Sequence, residues 1–290
     1  DNLEKEEKFL FYSIENIQDL YLLMLSTLIE IQKREEDFLD KSSKKHLVTA
    51  EERNPNNKFI NNAVLKLLVE SNAMSIALEN RKINDWHVND EYIRILLEEI
   101  KASELYANYM SNRENNFEED KEFVVSIFTD LIAPNEKLYE YLEDNKLTWI
   151  DDIPLVNTLI NKQLKSIKVT DEDFSIPKVY KDAEDKDFTK DLFRKVVLNE
   201  AALAKEFIDK TPNWDSDRIA EIDTIILKMA ICEFLKFPSI PVKVTINEYL
   251  EIAKEYSTPK SSIFINGILD NLVKDFKEAN KLNKAGRGLM

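Results

Sequence analysis

Glycine is almost missing: there are 3 in 290 residues, at positions 267, 286 and 288. Residues 1–266 therefore contain none, where about 7% would be ordinary. Favoured hairpin turns and phosphate-cradling loops draw on glycine for positive φ and for close backbone approach. A Rossmann crossover, a Walker loop and a glycine-turned β-sandwich are thereby excluded. Cysteine is nearly absent too. The lone Cys232 cannot close an internal disulfide, which fits a reducing compartment and a cytoplasmic protein. Long apolar runs are lacking as well: the best, Leu20 to Ile29, is 10 residues between Asp19 and Glu30, and a bilayer needs about 20.

The usual carriers of chemistry are equally sparse. His46 and His87 lie in polar segments, and neither belongs to an H-E-x-x-H pattern. A di-iron bundle places Glu three residues before each ligating His, whereas Ser43 and Asn84 occupy those positions. Cys232 sits in IILKMAICEFL, whose apolar neighbours raise a thiol's pKa and point to core packing. The sequence thus predicts a protein that is not an enzyme, with no metal, no cofactor, no small-molecule substrate and no membrane span. Positive charge is also short. The net charge is −15, and acidity of that size opposes non-specific binding to nucleic acid. The deficit is uneven, because residues 241–290 hold 8 basic and 6 acidic groups, leaving −17 on residues 1–240. Any RNA contact has to be local.

What is present is 43% hydrophobic and 33% charged, rich in Leu, Ile, Lys and Glu. That composition predicts an all-α fold, and the length suffices for two stacked helical bundles. Apolar residues at Ile17, Leu20, Met24, Leu28 and Ile31 share one face of a helix near residues 4–34. A second helix is expected over 59–80 through Phe59, Ala63, Leu67, Met74 and Leu78. A third is expected over 90–110 through Ile93, Leu97, Ile100 and Leu105. The polar break SNRENN at 111–116 marks a candidate boundary, so residues 1–115 read as a helical extension. Residues 116–183 read as a middle unit that resembles the next. EDKEFVVSIF at 119–128 and EDKDFTKDLF at 184–193 share five identities, and Trp149 and Trp214 keep the same offset of 65.

The C-terminal bundle, residues 184–280, is the most legible. Ser216 or Asp217 is expected to cap a helix that buries Ile219, Ile222, Ile226 and Met229. Thr245 and Glu248 have the spacing of a capping box. After Pro259, Ser261 or Ser262 is expected to cap a last helix that buries Ile263, Ile268, Leu272 and Phe276. Residues 281–290 read as a loose basic tail. Gly267 stands inside that last helix at a cost of about 1 kcal/mol relative to Ala. The expected compensation is a tight helix crossing, with approach of a ligand or partner as the alternative. Asn247 and Asn266 pose the same choice between buried amide and partner contact.

IPVKVTINEYLEIAKEYSTPKSSIFINGILD at 240–270 resembles the C-terminal motif of the NusB family. Pro241, Val244, Ile246, Asn247, Glu248, Ala253, Lys254, Phe264, Asn266, Gly267, Leu269 and Asp270 fit the family pattern, and the likeness extends over about 184–276. NPNNKFINNAVLKLL at 54–68 looks like the extended form with a long helical insertion. The resemblance implies a non-catalytic antitermination factor. Such a factor pairs with the ribosomal protein NusE, binds boxA-type leader RNA of ribosomal RNA operons, and joins the RNA polymerase antitermination complex. The runner-up is a helical protein-binding scaffold without direct RNA binding. One departure favours the latter: the family's arginine-rich N-terminal helix has no counterpart in residues 1–10, which carry one Asp, three Glu and two Lys. The chain opens on Asp1, and a segment is expected to precede it; if that segment encodes the arginine-rich helix the RNA-binding role stands, and if the helix never existed direct RNA binding falls away. The residues expected to meet RNA are Lys243, Lys254, Lys260, Ser261, Ser262, Phe264 and Asn266. In this reading the start of the last helix offers free amides to phosphate, Phe264 stacks on a base and Asn266 bonds one. Lys277, Lys281, Lys284 and Arg287 would continue a basic strip into the tail.

Overall fold

The computed structural model describes residues 2–208, 210 and 220–289. The described residues form helices and turns with no strand, as the composition predicts. Trp214, Ser216, Asp217 and Ile219 lie outside the described residues. The chain divides into two compact units, one of Tyr12–Val179 and one of Asp1–Phe11 with Tyr180–Met290.

The larger unit is built around α1 (Asn2–Ser43) from Tyr12 onward, whose run from Leu20 to Ile29 is buried on all sides. A helix apolar all round belongs in a core. Around it lie α2 (Ala50–Arg53), α3 (Ala63–Glu70), α4 (Asn72–Arg81), α5 (Asp85–Val88), α6 (Asp90–Ala102), α7 (Glu104–Tyr109), α8 (Phe117–Ile127), α9 (Glu136–Asn145) and α10 (Ile153–Ser166). The helices expected over 59–80 and 90–110 are each broken by a serine. Ser71 accepts the Met74 amide at 3.0 Å and caps α4, and Ser103 accepts the Tyr106 amide at 3.2 Å and caps α7. A serine hydroxyl satisfies an orphan amide only if the chain leaves helical geometry there. The SNRENN segment lies inside this unit, pinned by polar contacts. Lys58, fully buried, donates to Asn112 Oδ1 and Glu119 Oε1, both at 2.9 Å, beneath the Tyr109 ring.

The smaller unit contains α11 (Ala183–Leu198), α12 (Glu200–Ile208), α13 (Glu221–Lys236), α14 (Val242–Tyr256) and α15 (Ser261–Glu278). The repeated segments at 119–128 and 184–193 both begin helices whose first amides are capped by a side chain, Asn116 for α8 and Asp182 for α11. α13 is the central element. Ile226 is buried as expected, and so are Leu227, Ala230, Ile231, Cys232 and Phe234, while Ile222 and Met229 are half-buried. Burial pushes the Cys232 thiol up to about 11, in keeping with a packing role. On α15, Ile268, Leu272 and Phe276 face the core, but Ile263 does not: it is 76% exposed.

The basic tail is not loose. Lys284 Nζ donates to the carbonyls of Phe237 at 3.0 Å and Glu233 at 3.3 Å, and the Ala285 amide donates to Pro238 O at 2.9 Å. Gly288 is buried there, where an added Cβ would meet the Pro238 carbonyl oxygen at 1.9 Å. Lys281 pairs with Glu206 at 3.0 Å. One of the cations that the basic strip relied on, Lys284, is therefore committed to the fold, while Lys281 makes a surface ion pair. Carbonyls at the end of a helix keep a free lone pair, and Lys284 adds a second donor to Glu233 O and Phe237 O, which also accept the Phe237 and Ile240 amides.

Candidate functional site

α14 and α15 form a helical hairpin joined by the turn at 257–260. α14 starts at Val242 because Pro241, with φ of −63° and no amide hydrogen, suits the entry to a helix. Thr245 is then already inside the helix, so the expected capping box does not form. Its buried hydroxyl instead donates to Glu233 Oε1 at 2.6 Å, and the Tyr249 hydroxyl donates to Glu233 Oε2 at 3.1 Å. Both side chains lie one α-helical turn apart on the face that α14 turns toward α13.

Burial holds the Glu233 carboxyl above the usual carboxylate range, against the pull of the Thr245 and Tyr249 hydroxyls and of Lys284. A carboxyl raised in the folded state favours folding below its ordinary value of 4.5, and that contribution is lost as pH rises through the folded value. Glu233→Gln, which cannot ionise, should therefore gain on the wild type as pH increases from 4.5 toward neutrality. Denaturant titrations of both proteins at several pH values check this. A difference that does not vary with pH contradicts it.

The turn itself is organised by a second buried acid. Asp223, 5% exposed in the first turn of α13, accepts the Ser257 hydroxyl at 2.5 Å and the Ser261 hydroxyl at 2.8 Å. The Thr258 and Ser261 hydroxyls lie 2.8 Å apart. Neither Ser261 nor Ser262 caps α15, because the N-cap position is Lys260, which makes no side-chain cap bond. The Ser261 hydroxyl donates to a buried carboxylate, a charge-assisted bond roughly twice as strong as a neutral one, and this fixes its oxygen away from a capping position. The carboxylate also stands against the positive end of the α15 dipole. The electrostatic attraction expected there for phosphate is thus already largely offset.

The expected RNA-contact residues separate into groups. Ser261 is 3% exposed and serves the turn through Asp223, so it offers nothing to solvent. Lys260 is exposed; Ser262, Phe264 and Asn266 are half-buried, and Phe264 packs on the core. Lys254 is exposed in the last turn of α14, paired at 2.6 Å with Glu251 one turn earlier. An exposed pair of this kind holds the lysine only weakly. Lys243 is exposed at the opposite end of α14, about 16 Å along the axis from Lys254 at 1.5 Å per residue. The fold thus gathers Lys254, Lys260, Ser262, Phe264 and Asn266 around one turn and leaves Lys243 apart.

Gly267 departs from expectation. It is exposed, and an ideal Cβ built on it meets nothing within 4 Å among the described residues, so no tight crossing with a described helix explains it. A larger residue at this position would meet no neighbour among the described residues to overpack against. Asn247, expected as a buried amide, is exposed on α14. Asp223 and Glu233 escaped the sequence reading. Their only signal was an acid within an otherwise apolar helix.

Fold and site together define an all-α helical-bundle protein whose most distinctive surface is a lysine-bearing hairpin turn set on a buried carboxylate. The family model described as "NusB family" matches residues 155–274, with an extra N-terminal region ahead of it. The chain belongs to the NusB family. It is similar to the transcription antitermination protein NusB of Salinibacter ruber, 46% identical over 110 residues that make up 38% of this chain and 68% of the relative. With the protein of the same name from Chloroherpeton thalassium the identity is 41% over 39% of this chain and 53% of the relative. With that of Natranaerobius thermophilus it is 49% over 28% and 54%. The chain thus spans about half the length of the latter two relatives. These proteins are antitermination factors by name, not enzymes. No solved structure matches the chain. Among the described residues, no helix is long and apolar enough to cross a membrane, and no group of His, Cys, Asp and Glu is arranged to hold a metal.

Proposed function

We propose that this protein is a cytoplasmic transcription antitermination factor that binds boxA-type RNA together with NusE and so engages the RNA polymerase antitermination complex. The observation that carries the reading is the family relationship, with identity of 46% to a protein of that name over 110 residues. The hairpin turn supports it physically. Lys254 and Lys260 supply cations on an otherwise acidic chain, while Phe264 and Asn266 supply a ring and an amide at the same place. Single-stranded RNA is held by that combination of backbone charge, stacking and polar edges. Because the dipole of α15 is offset by Asp223, phosphate contact falls to the lysine side chains.

A second reading, a helical scaffold that binds protein and not RNA, is favoured by the charge of −17 on residues 1–240. A gel shift with boxA-containing RNA, with and without NusE, separates the two. The proposal expects a complex that tightens when NusE is added. Binding of NusE with no RNA shift under either condition establishes the scaffold.

A further inference from the structure

The outer face of α15 carries a glycine that the fold does not use. An interior helical glycine destabilises, and among the described residues nothing comes within 4 Å of where its Cβ would be. Its neighbours on that face are Ile263 one turn before, Asp270 and Asn271 one turn after, and Lys260 and Lys274 at seven residues on either side. A spacing of seven returns to within about 20° of the same direction, so each lysine lies about 10 Å along the axis from the glycine. Both lysines are exposed, and neither pairs with an acid among the described residues.

Resting on the antitermination reading, we propose that Gly267 provides clearance for single-stranded RNA laid across α15, with phosphates held toward Lys260 and Lys274. The missing side chain lets a sugar or base lie against the helix backbone, beside the exposed Ile263 side chain. Asp270 and Asn271 present an acceptor and an amide to base edges, the groups that read exocyclic amines and ring nitrogens. A protein helix would seat on a continuous apolar ridge, and this face has one apolar side chain flanked by polar and charged groups. The occupant the face suits is a polyanion with planar bases. The RNA path would then run from the hairpin turn along the outside of α15 and not stop at the turn.

The test measures melting temperature and the affinity for boxA RNA, by fluorescence anisotropy, in Gly267→Ala, Gly267→Leu, Lys274→Glu and Lys260→Glu. Filling an exposed helical glycine should raise the melting temperature of Gly267→Ala by about 2–4 °C. The same variant should lose RNA affinity, and Gly267→Leu should lose about tenfold or more. Lys274→Glu should also weaken binding. Stability and affinity thus move in opposite directions, which a purely structural glycine would not produce. If Lys260→Glu weakens binding while the glycine variants and Lys274→Glu retain wild-type affinity, the clearance role is overturned and the antitermination reading stands. If the glycine variants lose NusE and keep RNA, the face belongs to a protein. If the wild type binds no boxA RNA, both the reading and this inference fail.

Discussion

Replacing Ile226 by aspartate unfolds the C-terminal bundle. Ile226 is fully enclosed at the centre of α13, which packs against α11, α12, α14 and α15. An aspartate there loses the transfer energy of the isoleucine and buries a carboxylate within an apolar cluster. Leaving the group charged costs far more than the ~5–15 kcal/mol that separates folded from unfolded domains, so it protonates or the bundle opens. Either way several kcal/mol are lost. Helical circular dichroism followed against temperature should show the unfolding of this unit displaced to much lower temperature. A variant with an unchanged melting curve would mean that α13 is not the bundle's centre.

Asp223→Ala should produce the second largest effect, and it joins stability to the site. The carboxylate is the common acceptor for the Ser257 and Ser261 hydroxyls. Removing it takes the shared acceptor from the buried Ser261 and the half-buried Ser257, which keep only each other at 2.9 Å and Thr258 at 2.8 Å; a buried donor left unsatisfied costs about 1–3 kcal/mol. It also removes the negative charge at the start of α15. The turn that carries Lys260 should loosen, and boxA RNA affinity should fall even though Asp223 touches no RNA. Asp223→Asn, which keeps one acceptor oxygen, should recover part of both losses. Full stability in the alanine variant would show that the hydroxyls find other partners and that the turn does not depend on this acid. Simple loss of a repelling charge would strengthen RNA binding, so the direction of the affinity change separates positioning from electrostatics.

The contrast between Ile226 and Asp223 shows what the sequence makes legible. Helical periodicity located Leu20, Met24 and Leu28 in the larger unit and Ile226, Leu272 and Phe276 in the smaller, all of them buried. Periodicity works there because a helix that faces one core repeats its apolar residues at fixed spacing. It failed at Ile263, where the apolar residue lies outside the repeat that the fold uses. It also failed to anticipate the breaks at Ser71 and Ser103. The hydroxyls were harder still. Thr245 and Ser261 satisfy local capping patterns in sequence, yet both, together with Ser257, are bound to acids on α13. Local spacing cannot reveal a competing acceptor 12 to 38 residues away. The docked tail hides for the same reason: its partners are backbone carbonyls, which every sequence has. The proposed site rests on lysines and on Phe264 and Asn266, which the sequence singles out. Its buried support was not legible.

The central claim, that the α14–α15 hairpin turn is an RNA-binding surface, is tested most directly by the salt dependence of boxA RNA affinity in the wild type and in a Lys254→Glu, Lys260→Glu double variant. Both side chains are exposed, so the double variant should fold as the wild type does. Each phosphate contact on a single strand contributes about 0.7–1 unit to the slope of log affinity against log salt. The account predicts weaker binding and a slope flatter by about 1.4–2 units in the double variant. Unchanged affinity with an unchanged slope, in a variant whose circular dichroism and melting temperature match the wild type, would contradict it.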